Sequence, residues 1–397
     1  MNKTVSESFD PPHVVHEAFG PPLKPAEAGA AIALGVVSLL ISGVLAVLLG
    51  ALAEEHRLSA PGIGLSAMTE ALTMAITTGL VGALLKPHHL KLIGAGAAIA
   101  LAATDLATLG ARTDAAVMGV RALCGLPEGV LLWITIGMIA RSATPERWAG
   151  VLFTALTASQ LAVSAAFAAI VIPRFGANGG FASIAGLSLI GVLIALWLPN
   201  RYPALPQVKG ETGAPPPRGW LALFGTLIYV SAAAAVGIYL LPLAAQAGLS
   251  SGVARTANSF SLAAQVLGGA LATLVAGRVN YFTVFTGGVA AFLGVYFVYG
   301  FAAPAWMFIA ATAFNGLITI FITPFLVPMT IEADPSRRAA VQSGAVQLLG
   351  AALGPLLASR VVDAHNVRGA LWLGAGLLFS GLGVIAGLHF TRARARA

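Results

Sequence analysis

Apolar residues run through this chain in blocks of about 20, the length needed to cross a bilayer as a helix, with short polar segments between them. The blocks fall at 29–52, 61–85, 90–110, 114–140, 149–172 and 180–198, and again at 219–243, 254–276, 282–300, 303–329, 339–361 and 368–389. Between the two sets runs RYPALPQVKGETGAPPPR, ending at Arg218, a polar and proline-rich stretch of the kind that links bundles. The short alternating segments and paired turn signals of an outer-membrane barrel are absent. The pattern predicts an all-α polytopic membrane protein with twelve transmembrane helices in two six-helix bundles. Its parts are an N-terminal tail (1–27), a first bundle (28–198), a linker (199–218), a second bundle (219–390) and a basic tail (391–397).

Of the 397 residues, 58% are hydrophobic and only 9% charged, where soluble domains carry about 25% charged residues. The formal net charge of +7 gathers into no single patch, which argues against a nucleic-acid partner. It divides unevenly across the membrane instead. With both termini inside, fifteen lysines and arginines fall in cytoplasmic segments and five (Arg57, Arg112, Arg174, Arg360 and Arg368) in outer ones. That asymmetry orients a multi-pass protein of the inner (plasma) membrane with cytoplasmic termini. Trp148, Trp197, Trp220, Trp306 and Trp372 stand near span ends, as an interfacial belt requires. The N-terminal segment has Pro-Pro pairs at 11–12 and 21–22 and lacks the order of a cleaved signal peptide. The basic tail has a composition suited to anionic lipid. Cys124 is the one cysteine, so no internal disulfide forms, and no His/Cys cluster indicates a metal. P-loop, HExxH and GxSxG patterns are missing, so the sequence offers no cofactor, no ATP chemistry and no sign of an enzyme.

Four ionisable residues interrupt the first set of blocks. Arg121 and Glu128 lie well inside one of them, where each charge costs at least about 2.5 kcal/mol on insertion scales. Arg121, Gly125 and Glu128 are spaced four and then three residues apart, which puts them on one helical face. Direct pairing of Arg121 with Glu128 spans about 10 Å along the helix and needs extended side chains or a bridging water. Pro127 removes a backbone donor beside that face and predicts a bend. Two readings follow. A carboxylate, Glu128 or Glu70, whose distance to Arg121 changes with conformation takes up and releases a proton; a permanent ion pair only locks helices together. Asp105 has the same two readings, as a working group or as an interfacial cap paired with Arg112.

An internal repeat supports two bundles. Pro145, Arg147, Ala149, Val151 and Ala155 recur 190 residues on as Pro335, Arg337, Ala339, Val341 and Ala345. Under that offset Arg121, Glu128, Glu70 and Asp105 correspond to Ala311, Ile318, Phe260 and Val295. The four ionisable residues therefore have no counterparts in the second half.

Two sets of six spans, a polar linker and internal tails resemble the major facilitator superfamily from about Ala28 to Phe390. Arg121 with Gly125 matches the Arg-x-x-x-Gly signature of that superfamily's fourth helix. The loop GALLKPHHLK, from Gly82, stands where the family has Gly-x-x-x-Asp-Arg-x-Gly-Arg-Arg: Gly82 matches, Lys86 takes the acidic position and the Gly-Arg pair is missing. The second-half counterpart keeps only Arg278. The resemblance implies a monomeric secondary active transporter, not an enzyme, moving a small organic solute by alternating access around a midplane site. It places Arg121, Glu128, Glu70 and Asp105 in proton coupling. Arg121, Gln160, Tyr229, Gln265, Asn315 and Gln347 are the substrate-binding candidates. Gly82, Lys86, Arg278 and Arg337, with the helix-bending Pro127, Pro324 and Pro328, are the gating candidates. Proton-coupled uptake of an organic anion or similar metabolite is the first reading, since a free arginine grips a carboxylate bidentately. A proton-coupled exporter of amphipathic compounds is the second, although the fifth helix (TALTASQLAVSAAF) lacks the Gly-Pro signature of drug antiporters. A non-transporting membrane sensor on the same fold is the third.

Overall fold

A computed structural model of the chain describes residues 23–205, 213–301, 303–362 and 366–392. Most of the expected N-terminal tail, the middle of the linker and the end of the basic tail lie outside the described residues. Where described, the chain is helical. In the first half the helices are α1 (Pro25–Glu54), α2 (Ala60–Leu84), α3 (Leu90–Ala107), α4 (Asp114–Ile139), α5 (Pro145–Ala166) and α6 (Ile172–Ala195). In the second they are α7 (Pro217–Gly237), the short α8 (Leu240–Gln246), α9 (Ser251–Val275), α10 (Tyr281–Gly300), α11 (Ala305–Ile322), α12 (Leu326–Ala333), α13 (Arg338–Ala358) and α14 (Gly369–Arg392).

Twelve crossings follow from these helices, with one junction that the hydrophobic pattern does not mark. The run Pro145–Ala195 is helical almost throughout, and it reverses at Gly176, whose φ of 63° and ψ of −166° take it out of the helix. Only glycine adopts such a backbone freely. The new helix end is capped from a distance: the Glu55 carboxylate accepts the Ala177 N–H at 2.7 Å, where helix N-termini favour negative charge. Arg57, ion-paired to Glu55 at 3.2 Å, donates also to the Asn178 side chain and to the carbonyls of Thr108, Leu109 and Ala111. It ties three turns together on one face. Near the other face, α11 passes through a tight turn at Thr323–Phe325 before α12, so the helix breaks at Pro324. By contrast α4 continues unbroken through Pro127.

The repeat is reproduced with a shift. Pro145 opens α5, yet α13 opens only at Arg338, because Arg337 adopts a left-handed φ of 61°. Asp334 makes that start possible: its carboxylate accepts the N–H of Ser336 at 3.0 Å and of Ala339 at 2.7 Å. Of the expected interfacial tryptophans, Trp197, Trp220, Trp306 and Trp372 are exposed near helix ends.

One apolar core is drawn entirely from α7 onward and is rich in rings, with Tyr229, Phe285, Phe292, Tyr296, Tyr299 and Phe308 among its members. A second, centred on Leu45, Leu48 and Phe181, belongs to the first half, and a third, centred on Leu131, Trp133 and Ile139, also takes in Val327, Ala340 and Val341 of the second. The halves meet near the face that carries both chain ends, called the terminal face below. There a Cβ built on Gly82 lies 3.3 Å from Val341 and Gln342 of α13, Gly344 packs on Ile136 and Leu132, and α5 meets α9 at Gly150–Thr273 and Thr154–Gly269. Met68, Leu72, Ile76, Gly79 and Gly82 form one stripe along α2. Gly79 and Gly82 are covered by α13, whereas Met68, Leu72 and Ile76 are exposed. The bundles therefore touch at the terminal face and part toward the opposite one.

Candidate functional site

The ionisable residues of the first half come together, and of the two candidate carboxylates it is Glu70, not Glu128, that pairs with Arg121. Arg121 reaches away from Glu128 to helices on either side. Its Nε and Nη2 donate to the two oxygens of Glu70 on α2, at 3.0 and 2.6 Å, and its Nη1 donates to Asp105 on α3 at 3.1 Å. The planar guanidinium matches a carboxylate with two parallel bonds, the strongest arrangement open to it. Thr108 Oγ1 lies 3.5 Å from Nη1, and the Phe181 ring of α6 stacks with its centroid 5.6 Å from the guanidinium carbon.

Asp105 is the larger departure. It is not an interfacial cap for Arg112, which is exposed. Its second oxygen accepts from Ser188 at 3.2 Å, and Cys124 Sγ lies 3.8 Å from the first. Glu128 is turned toward α1, α3 and α6, lining a small cavity with Asp105 and Ser188, and its Oε1 has no hydrogen-bond partner among the described residues. Arg121 and Asp105 are 0% exposed, Glu128 1% and Glu70 4%. A single guanidinium thus stands among three desolvated carboxylates inside the first bundle, rather than on the face toward the second half.

Glycine makes the approach of α2 and α4 possible. A Cβ on Gly125 would fall 2.5 Å from the Glu70 carbonyl oxygen and 2.8 Å from the Met74 nitrogen; on Gly129 it would fall 2.7 Å from the Met74 carbonyl. Only side chains without a Cβ let the two backbones come this close, and the contact sets Glu70 within reach of Arg121. Ser38 of α1 donates to the Glu128 carbonyl at 2.8 Å, and Thr78 of α2 to the Gly129 carbonyl at 3.1 Å. The backbone around Pro127 is thus held from two sides. Thr108, Ser188 and Ser38 were not singled out in the sequence, where isolated Ser and Thr in apolar runs look alike.

The proposed solute contacts divide. Tyr229 lies in the aromatic core of the second half, its ring edge-on to Phe285 at 5.1 Å and Phe292 at 6.2 Å, so it does not face the first bundle. Gln160 bridges α5 to α1, donating to the Leu39 carbonyl at 2.9 Å and to Ser42 Oγ at 3.2 Å. Gln265, Asn315 and Gln347 are half-buried, and no described residue hydrogen-bonds their side chains. Gln265 stands one turn before Gly269 and Gln347 one turn after Gly344, each just beyond the point where its helix touches the first bundle. They border the space where the halves part.

At the terminal face, Lys86 and Arg278 are exposed, and Arg278 folds back onto the Leu274 carbonyl at 2.9 Å. Arg337 reaches across the halves. Its Nη1 donates to the Ala140 carbonyl at 2.9 Å and to the Ser142 carbonyl at 2.6 Å, at the C-terminal end of α4, where the helix dipole favours a cation. Burial lowers its pKa from the ordinary arginine value, and nearby Glu146 opposes that shift. Hydrogen bonds to a charged group contribute about 1.5–3 kcal/mol each, so Arg337→Gln is expected to shift the closed-to-open ratio of this face at least tenfold toward open. Spin labels at Lys86→Cys and Arg278→Cys report it as a longer separation. An unchanged distance distribution would assign the closure to the packed glycines instead.

The helices and their packing define a polytopic helical membrane protein of two packed halves, with a charged cluster inside one of them. A sequence profile of the Major Facilitator Superfamily matches residues 31–349, and the chain belongs to that superfamily. No curated protein sequence matches it. Among solved structures it is similar to the human organic anion transporter MFSD10 (TETRAN), at a TM-score of 0.71 and 13% identity, over 91% of this chain and 100% of that one. It is similar also to the transporter FucP in the outward conformation, at a TM-score of 0.70 and 13% identity, over 90% of this chain and 98% of that one. At such identities the likeness establishes the fold.

Proposed function

We propose that this protein is a proton-coupled secondary transporter of the inner membrane that takes up a small organic solute by symport, an organic anion or a similarly polar metabolite. With cytoplasmic termini, as the lysine and arginine asymmetry favours, the closed terminal face makes the described state outward-facing. The observation that carries the coupling is the charge count around Arg121: three buried carboxylates, two of them paired to it, accompany one guanidinium. A buried unpaired charge is too costly to persist when a proton can neutralise it, so the cluster holds protons. Glu128, with an oxygen left without a partner, is the proposed carrier, and Glu70 and Asp105 compete for the arginine. Arg121 is fully engaged and enclosed within the first bundle in this state, so a solute anion binds it only after a carboxylate has been protonated and released and the bundle has opened toward the second half. That order is what symport requires. Gln265, Asn315 and Gln347 supply uncharged hydrogen bonding toward the solute. A neighbour described as an organic anion transporter and another described elsewhere as a fucose:proton symporter accord with this reading.

Liposomes holding a pH-sensitive dye test it. Gradients of organic anions, sugars, amino acids and cationic amphipaths are imposed in turn on wild type and Glu128→Gln. Inward proton movement with one solute class, reduced at least tenfold by the substitution, is expected. Proton movement opposite to the solute would make the protein an exporter, and solute counterflow without protons would reduce the cluster to a structural lock.

A further inference from the structure

A cleft of about 390 Å³ opens at the terminal face between the two halves and the linker. Its polar walls come from both sides: Arg141 and Trp133 from the first bundle, Tyr202 from the linker, Arg338 and Gln342 from the start of α13. None of the described residues lining it is acidic. Arg141 donates to two carbonyls, Pro203 at 2.8 Å and Gly137 at 2.9 Å, and lies 5.8 Å from the Tyr202 ring centroid. It has no carboxylate partner among the described residues. Burial pushes its pKa down to about 10, since desolvation disfavours the charged form. Tyr202 is only 3% exposed, yet its hydroxyl has no hydrogen-bond partner among the described residues. Buried polar groups of native proteins are nearly always satisfied; Glu27 is the carboxylate nearest in effect to Tyr202 and makes no hydrogen bond to it among the described residues, so the hydroxyl and the arginine beside it suit an acceptor that carries negative charge.

We infer that this cleft is a binding site for an anion bearing one phosphate or carboxylate group and an apolar or aromatic body, with Arg141 and Tyr202 on the anionic group and the tryptophan-lined wall on the body. The site is separate from the Arg121 cluster and does not depend on proton coupling. Because Arg141 and Tyr202 belong to one half of the cleft and Arg338 and Gln342 to the other, occupancy holds the terminal face shut. The ligand acts as a brake on the opening of that face. A phospholipid headgroup and a soluble organic phosphate share this chemistry.

The test uses the full-length chain in a nonionic detergent at fixed ionic strength, and reads the midpoint of thermal unfolding against ligand concentration. The probes are inorganic phosphate, phenyl phosphate, dihexanoyl phosphatidic acid and, as a zwitterionic comparison, dihexanoyl phosphatidylcholine. A saturable rise with phenyl phosphate or phosphatidic acid is expected, weakened at least tenfold in apparent Kd by Arg141→Gln and by Tyr202→Phe. Tyr202→Phe removes a hydroxyl that bonds nothing, so its unliganded melt should match wild type and guards against a trivial folding failure. Arg278→Gln, an exposed arginine on the same face, should leave binding unchanged. Phosphatidic acid alone would identify a lipid site, and phenyl phosphate a soluble ligand. No saturable rise with any anion, or one that survives both substitutions, overturns the inference.

Discussion

Arg121→Leu is expected to lower the folded, monodisperse yield severely and to reduce the thermal midpoint of what remains. The substitution leaves Glu70 and Asp105 facing each other in the bundle interior with no cation between them, at 4% and 0% exposure. Breaking a buried ion pair by removing one partner costs about 3–5 kcal/mol, and here one residue serves two carboxylates. Arg121→Lys should be intermediate: it keeps the charge but cannot form the two parallel bonds to Glu70. Joint removal of the carboxylates, as Arg121→Leu with Glu70→Leu and Asp105→Leu, should recover much of the loss. Thermal melts in detergent distinguish these outcomes. An Arg121→Leu protein as stable as wild type would mean that the carboxylates are already neutral, with the protons fully loaded.

Gly125→Leu should be nearly as damaging, by a different route. Its Cβ would meet backbone atoms of α2, the Glu70 carbonyl and the Met74 nitrogen, which cannot rotate away as a side chain does. The helices must separate, at a typical overpacking cost of about 1–3 kcal/mol, and Glu70 is then carried out of the fork of Arg121. Solute-driven proton flux in liposomes is expected to fall more than tenfold. Gly119, on the same helix with nothing within 4 Å of its Cβ position, is the control: Gly119→Ala should change stability by no more than about 0.5 kcal/mol. Equal effects at the two glycines would show that the α2–α4 approach does not govern the cluster.

The helices were legible because bilayer-length apolar blocks leave one solution to backbone hydrogen bonding. The tight turn at Thr323–Phe325 coincides with Pro324, whereas the helices run on through Pro127 and Pro328, so proline alone does not mark a break. The partners of Arg121 were not legible in the same way. Helical spacing relates residues on one helix, so it describes Glu128, seven positions on, and gives no distance for Glu70, the other candidate carboxylate. The actual partners sit on α2 and α3, and their distances depend on how closely helices pack. That information was present only indirectly, in Gly125 and Gly129. Asp105 carries two readings in the sequence, working group or interfacial cap, and only the packing of α3 on α4 and α6 chooses between them by setting it on Arg121 and Ser188. Tyr229 was read as a solute contact from its place on the first helix of the second half, but the rings of α10 hold it within their own bundle. Arg337 was picked out through the repeat. Its left-handed backbone, which lets it reach α4, has no sequence mark beyond the preceding Asp-Pro-Ser.

Helix α2 is a lever. It carries Glu70 at the charged cluster and, nine residues further, Gly79 against Gln342 and Ala345 of the second bundle. From Met74, where Gly125 and Gly129 both pack, the arm to Gly79 is about 7.5 Å at 1.5 Å per residue, so displacing its end by the width of a methyl group, about 2 Å, takes a tilt of about 15°. The fulcrum lies at the glycine contacts with α4. On the proposed coupling, moving a proton at one end of this rod and sliding the seam between bundles at the other are two readings of the same angle.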